Sequence, residues 1–222
     1  TFGKKVKCWN IHELYLSRKE RKRLSEEAHP LLMTRGVPGT HDVKLGLEII
    51  NSLRNADKNT VTMIPRFNKA IDDVYPKSEW TKFVGKPDVV LIDGWCIDAT
   101  AQEDSELITP VNELEATEDK DCVWRRYVND QLKTTYKDLF DTINFLVMLQ
   151  IPSYDKVFEW RNLQEEKLRI KNQGKEATHI MTPDQVRRFI AHYERITRHI
   201  LAEMPERADM LFKVNDNHRL YI

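Results

Sequence analysis

Three short stretches carry side chains that could do chemistry together. Asn10-Ile11-His12-Glu13 follows a predicted strand over 5–11. Pro65-Arg66-Phe67-Asn68-Lys69 follows a second over 60–64, and Asp93-Gly94-Trp95 follows a third over 88–93. In a parallel sheet, ligands bind at the carboxyl ends of the strands. A terminal carboxylate at Asp93, cations at Arg66 and Lys69 and a glycine turn together suit an anionic small molecule with a metal. The loop RGVPGTHD (35–42) adds Arg35, Thr40, His41 and Asp42. Its two glycines lead into a helix, where backbone N–H groups can turn toward an anion. A second chemistry draws on overlapping residues. His12, Glu13, His41, Asp42 and Asp93 combine two imidazoles with carboxylates, a set that suits a transition metal. Arg161, Arg169 and Lys171 stand on a charged helix and could clamp phosphates as a lid.

The elements that must position these groups follow from periodicity and punctuation. Segment 17–28 is dense in charge and helix formers, and His29-Pro30 stops it. A helix is predicted over 43–54, with Val43, Leu47 and Ile50 at helical spacing and Thr40 or Asp42 placed to cap it. The run DVVLID (88–93) predicts a strand buried on both faces, as does FLVML (145–149). Helices are predicted over 123–140 and 155–171. A last long helix opens at Thr182-Pro183-Asp184. A final strand is predicted over 210–214. The acidic segment 103–121 is expected to be an irregular surface excursion. Strands alternating with helices predict a single α/β domain over 1–222 with a mainly parallel sheet.

Composition narrows the partners. Lys plus Arg and Asp plus Glu are 35 each, a formal net charge of zero, which argues against a general nucleic-acid or membrane-surface binder. The longest apolar run, 145–149, is far too short to cross a bilayer, and the N-terminal stretch has no signal-peptide core. Cys8, Cys96 and Cys122 are widely spaced without C-x-x-C, so reduced thiols and a cytoplasmic location are expected. Glycine is sparse: the 7 glycines form neither G-x-x-x-x-G-K-[ST] nor G-x-G-x-x-G, so neither common phosphate-cradling loop occurs in these residues.

Longer motifs nevertheless resemble a phosphate-transfer family. RGVPGTHD (35–42), PRFNKAIDD…W (65–80), VVLIDGWC (89–96), NELEATEDKDCVWRRYVNDQL (112–132), VFEWRNLQEEKL (157–168) and MTPDQVRRFIAHYERITRHILAEMPERAD (181–209) resemble the D-glycerate 3-kinase-like P-loop kinases, relatives of uridine kinase and phosphoribulokinase. The resemblance implies a P-loop kinase-like three-layer fold. It implies ATP- and magnesium-dependent phosphorylation of a small hydroxy acid such as glycerate. By this resemblance the 35–42 loop, Arg66 and Lys69 hold the acceptor, and Asp93 takes the Walker B position. Arg161 belongs to the lid, with Arg169 beside it. His12, Glu13 and Asp93 become the catalytic candidates, with Glu13 and Asp93 as magnesium ligands. The departures fall on the same parts. The family's strand–Walker A–helix unit has no counterpart here. That predicts a gap in the sheet to be filled by a partner or an N-terminal segment. His12 stands for an acid of S-x-D-D-x-Y, Asn68 for the acid of P-R-F/Y-D-K, and Val74 for the arginine of D-D-R-x-P. A glycine expected near Asp98 is absent. These changes open the alternative of a catalytically inactive or repurposed kinase fold that binds a small anionic ligand.

Overall fold

In the computed structural model, which describes residues 3–171 and 180–221, β1 (Val6–Asn10) runs into a single 3-10 turn at Ile11–Leu14. The elements that follow are α1 (Arg18–Glu27), α2 (Val43–Asn55), β2 (Val61–Ile64), β3 (Phe67–Asn68), β4 (Asp73–Val74), β5 (Thr81–Val84) and β6 (Val89–Asp93). Next come α3 (Glu113–Glu118), α4 (Val123–Lys133), α5 (Thr135–Phe140), β7 (Val147–Gln150) and α6 (Asp155–Lys171). The last are α7 (Pro183–Ala191), α8 (Glu194–Arg207), β8 (Met210–Val214) and β9 (Leu220–Tyr221). The residues group into two units. One comprises Thr1–Ile108 and Asp121–Asn144, and the other Thr109–Lys120 and Phe145–Ile222.

In the first unit β1 and β6 pair in parallel, with Val6 opposite Val89 and Asn10 opposite Asp93. This register brings the polar ends of both strands level. Ser17 opens α1 with a capping box to Glu20, and Asp42 caps the start of α2 by accepting from the Leu45 amide. The buried face of α2 is Val43, Gly46, Ile49, Ile50 and Leu53, the spacing of one helical stripe. A Cβ at Gly46 would stand 2.8 Å from the Leu14 side chain, so the missing methyl lets α2 approach the turn after β1.

Several expectations need correcting. Segment 60–64 does form a strand, but β2 pairs antiparallel with β5, not with the parallel pair. Arg66 and Lys69 therefore flank and enter the short β3–β4 hairpin instead of extending a parallel strand. β6 is not buried on both faces: Val89 and Leu91 are 44% and 54% exposed. Among the described residues β6 has β1 as its one strand neighbour, so its other edge is open. The predicted helix over 123–140 breaks at Thr134 into α4 and α5. Segment 103–121 is not merely an excursion, because Leu107, Leu114, Glu115 and Asp119 are buried.

The second unit is built on β7, parallel to β8, with β9 antiparallel at the far side. Here too the expected double burial fails, since Phe145, Val147 and Leu149 are exposed and β7 has an open edge among the described residues. The last long helix is two, α7 and α8, parted at His192-Tyr193. Thr182 opens α7 with a capping box to Gln185, and Pro183 sits at its first turn. Glu115 and Arg195 form a buried ion pair at 2.7 Å, and Arg195 also donates to the Thr109 carbonyl. Among the described residues no helix is long and apolar enough to cross a membrane.

Candidate functional site

The site forms where β1 and β6 end, entirely within the first unit. Asn10 joins the two ends. Its side-chain oxygen accepts from the His12 amide at 2.9 Å, which caps the 3-10 turn, and its Nδ2 donates to Asp93 Oδ2 at 2.7 Å. The turn projects His12 and Glu13. Burial holds His12 neutral, its pKa lowered to about 4, and the charges of Lys69 and Arg35 push the same way against Asp93. Burial raises the Glu13 carboxyl, while Lys7, Arg66 and Lys69 pull it down. One cluster thus contains Asn10, His12, Glu13, Arg35, Arg66, Lys69 and Asp93. Arg66 lies over the Tyr75 ring at 4.6 Å, and neither it nor Lys69 has an ion-pair partner among the described residues.

Arg35 is anchored differently. It pairs with Asp72 and lies over the Phe67 ring at 5.4 Å. Asp72 is also held by Arg21, a residue of the charged helix α1 that is nevertheless buried. Neither Arg21 nor Asp72 stands out in the sequence, because each sits in a run of like residues.

The 35–42 loop is braced internally. Thr40 Oγ1 accepts from the Gly36 amide at 2.9 Å and donates to the Val37 carbonyl at 2.7 Å. The Gly39 amide donates to the Tyr136 hydroxyl at 3.0 Å. The expected anion-binding amides of Gly36 and Gly39 are therefore already engaged, and Thr40 is a buried brace. Asp42 is occupied by its capping bond to Leu45. His41 is buried, with Nδ1 2.5 Å from the Tyr136 hydroxyl and its ring stacked on Tyr15 at 4.8 Å. Tyr15 in turn stacks on His12 at 5.2 Å. Tyr136, some hundred residues along the chain, had no local signal to mark it.

Gly39 carries a testable cost. Its φ is +96°, and an added Cβ would meet Tyr127 Cε1 at 2.5 Å. Gly39→Ala is expected to lose about 2 kcal/mol. Urea denaturation checks this, and a variant as stable as the parent would show that the loop relaxes freely.

The metal readings separate here. Among the described residues no group of three or more His, Cys, Asp and Glu side chains could hold a metal ion. The transition-metal set of His12, Glu13, His41, Asp42 and Asp93 is therefore not assembled, because Asp42 caps a helix and His41 Nδ1 faces Tyr136. Magnesium needs less, one or two carboxylates besides phosphate oxygens and water. The hard oxygens of Glu13 and Asp93 fit that demand. Arg161 and Arg169 lie on α6 in the second unit, where Arg161 pairs with Glu165 at 2.6 Å. The Lys171 side chain lies outside the described residues. Asp98 has φ +59°, which accounts for the glycine expected near it.

This α/β architecture is that of the P-loop kinase-like folds. A solved D-glycerate 3-kinase from Cryptococcus neoformans matches it with a TM-score of 0.78 at 24% identity, over 100% of this chain and 80% of that one. In sequence, the chain resembles the D-glycerate 3-kinase-like P-loop kinases. It is 26% identical to the chloroplastic D-glycerate 3-kinase of Arabidopsis thaliana, over 94% of this chain and 45% of that protein. It is 27% identical to a probable ATP-dependent kinase, TDA10, of Saccharomyces cerevisiae, over 83% of this chain and 62% of that protein. The chain thus spans about half to two thirds of these relatives. No family model matches it.

Proposed function

We propose that these residues form the acceptor-binding part of an ATP- and magnesium-dependent kinase for a small hydroxy acid, glycerate or a close analogue. The observation that carries this reading is the cluster at the ends of β1 and β6. There Lys69 acts on both His12 and Glu13, Arg66 acts on Glu13 and Asp93 acts on His12, in a chain similar to D-glycerate 3-kinases. The two lysine and arginine heads suit a carboxylate. Glu13 and Asp93 would hold magnesium, which would supply positive charge to offset that of phosphate oxygens. His12, buried and neutral beside them, would serve as a hydrogen-bonding group rather than a charge.

A phosphate-cradling loop is not encoded in these 222 residues. Phosphoryl transfer depends on positioning and charge stabilisation, so the loop must come from a further segment or a partner. The open edge of β6, with Val89 and Leu91 exposed, supports a strand that pairs there. The open edge of β7, with Val147 and Leu149 exposed, supports the same demand in the second unit. The inactive or repurposed reading is favoured by His12 and Asn68, which stand where the family carries acids.

Calorimetry and a coupled phosphorylation assay test the two readings. The chain is expected to bind D-glycerate and to show turnover with ATP and magnesium only when a G-x-x-x-x-G-K-[ST] segment is supplied. Lys69→Ala is expected to weaken D-glycerate binding about tenfold. Binding without turnover in the completed protein would establish the inactive reading. No binding at millimolar D-glycerate would end the acceptor assignment.

A further inference from the structure

The charges around the turn after β1 do not balance. Four cations act there: Lys7, Arg66 and Lys69 on Glu13, and Lys69 with Arg35 on His12. Two carboxylates stand against them, Glu13 itself and Asp93. The neighbouring acids are engaged elsewhere. Asp72 is shared by Arg21 and Arg35, a trio that keeps one positive charge. Asp73 Oδ1 accepts from the Arg18 amide at 3.0 Å, at the N-terminus of α1, and Asp42 caps α2. The cluster thus holds four cations against two carboxylates, a surplus of two positive charges.

Two neutral side chains set that surplus. His12 and Asn68 stand where the family that the sequence resembles carries acids, so each exchange removes one negative charge. Asn68 Oδ1 accepts from the Ala70 amide at 3.0 Å, a bond that an aspartate would make equally well. The arginines are also held. Arg66 lies over the Tyr75 ring at 4.6 Å, and Arg35 over the Phe67 and Tyr15 rings at 5.4 and 6.0 Å. A guanidinium seated on a ring is fixed by its face and pairs through its edge, and the fork of that edge matches a carboxylate. We propose that this site prefers a hydroxy acid with a second carboxylate, a dianion, over a monoanion such as glycerate. This rests on the acceptor reading above and narrows its substrate class. A phosphate ester fits the balance less well, because its phosphate brings the molecule to about three negative charges at neutral pH.

Calorimetry on the metal-free chain at pH 7 and low salt tests this with three ligands. D-glycerate is the monoanion. Tartrate is glycerate with a second carboxylate on C3, and 2-phosphoglycerate carries its extra charge as a phosphate. Tartrate is expected to bind about tenfold more tightly than D-glycerate, and added salt is expected to shrink that ratio. Asn68→Asp and His12→Asp each restore one negative charge and are expected to narrow the ratio several-fold. Asn68→Asp places an acid opposite Asp73. Should neither variant fold, Lys7→Gln, which removes one of the four cations, is expected to narrow it as well. Equal affinities, or tighter D-glycerate, would overturn the inference while sparing the acceptor reading. A ratio that no folded variant changes would overturn the charge argument. Tighter 2-phosphoglycerate than tartrate would overturn the second carboxylate. No binding of any of the three at millimolar concentration would overturn both the inference and the acceptor reading.

Discussion

Arg21→Ala is expected to destabilise the first unit by about 3–5 kcal/mol. Arg21 lies on α1 within six consecutive charged residues, 18–23, that read as a solvated face, yet it is only 1% exposed. All three nitrogens of its guanidinium donate. Nε donates to the Leu16 carbonyl at 3.2 Å and Nη1 to the Met33 carbonyl at 2.7 Å. Nη2 donates to the Asp72 carbonyl at 2.7 Å and lies 3.0 Å from the Asp72 carboxylate. Those three carbonyls belong to the chain after β1, the approach to the 35–42 loop and the β3–β4 hairpin. One side chain therefore ties together the three segments that carry His12, Arg35 and Lys69. Removing it strands buried acceptors, which cost more than the net value of the bonds. Asp72 raises the cost, because it holds φ +57°, a left-handed conformation that packing must maintain.

The contrast within the same helix sharpens the test. Arg23 pairs with Glu27 at 3.7 Å, with both side chains well exposed. Arg23→Ala is expected to change stability by less than about 0.5 kcal/mol. Urea denaturation of both variants gives the comparison directly. Arg21→Lys is expected to recover part of the loss, since an ammonium cannot reproduce the planar fork. Equal midpoints for Arg21→Ala and Arg23→Ala would mean that water replaces the guanidinium and that the network has no structural weight.

These two arginines also mark the limit of what the sequence discloses. Both lie in RKERKR, and no periodicity separates the buried one from the exposed one. What was legible is local: the Thr182 cap, the Asp42 cap, the stripe of α2 and the parallel strands ending in Asn10 and Asp93. What was not legible depends on distant pairing. An apolar run such as DVVLID does not reveal whether a layer covers both of its faces, and here one face stays open. The breaks at Thr134 and His192-Tyr193 lack glycine or proline to announce them. Likewise, Thr40 and Asp42 have side chains suited to a ligand, but their hydrogen bonds are taken up within the loop and by α2. The resemblance to kinases pointed to Arg66 and Lys69, whereas the partners that organise the site, Arg21, Asp72 and Tyr136, came only from the folded chain.

Acidification is expected to unfold the first unit through His41, with a total effect of roughly 5 kcal/mol. Burial lowers the His41 pKa from 6.5 to about 3, and the nearby His12 pushes it the same way. The sign follows from the proton count. Between pH 6.5 and 3 the unfolded chain takes up a proton at His41 that the folded chain refuses. The stability tied to neutral His41 is therefore full above pH 6.5 and is lost progressively as pH falls toward 3. His12, lowered to about 4, adds in the same direction with a smaller weight because it is less buried. Glu13 opposes them, since a carboxyl raised by burial is favoured in its protonated form on folding. Urea denaturation at unit steps from pH 8 to pH 4 is expected to show little change above 7 and a steepening loss below 6.5. His41→Gln should start from lower stability at pH 7 and yet lose less on acidification, because nothing at position 41 then titrates. A parallel pH slope in that variant would remove His41 as the cause. On the proposed acceptor reading, both imidazoles are neutral near pH 7 and the positive charge facing an anionic acceptor would come from Arg35, Arg66 and Lys69, so D-glycerate affinity should not follow histidine titration above pH 6.5.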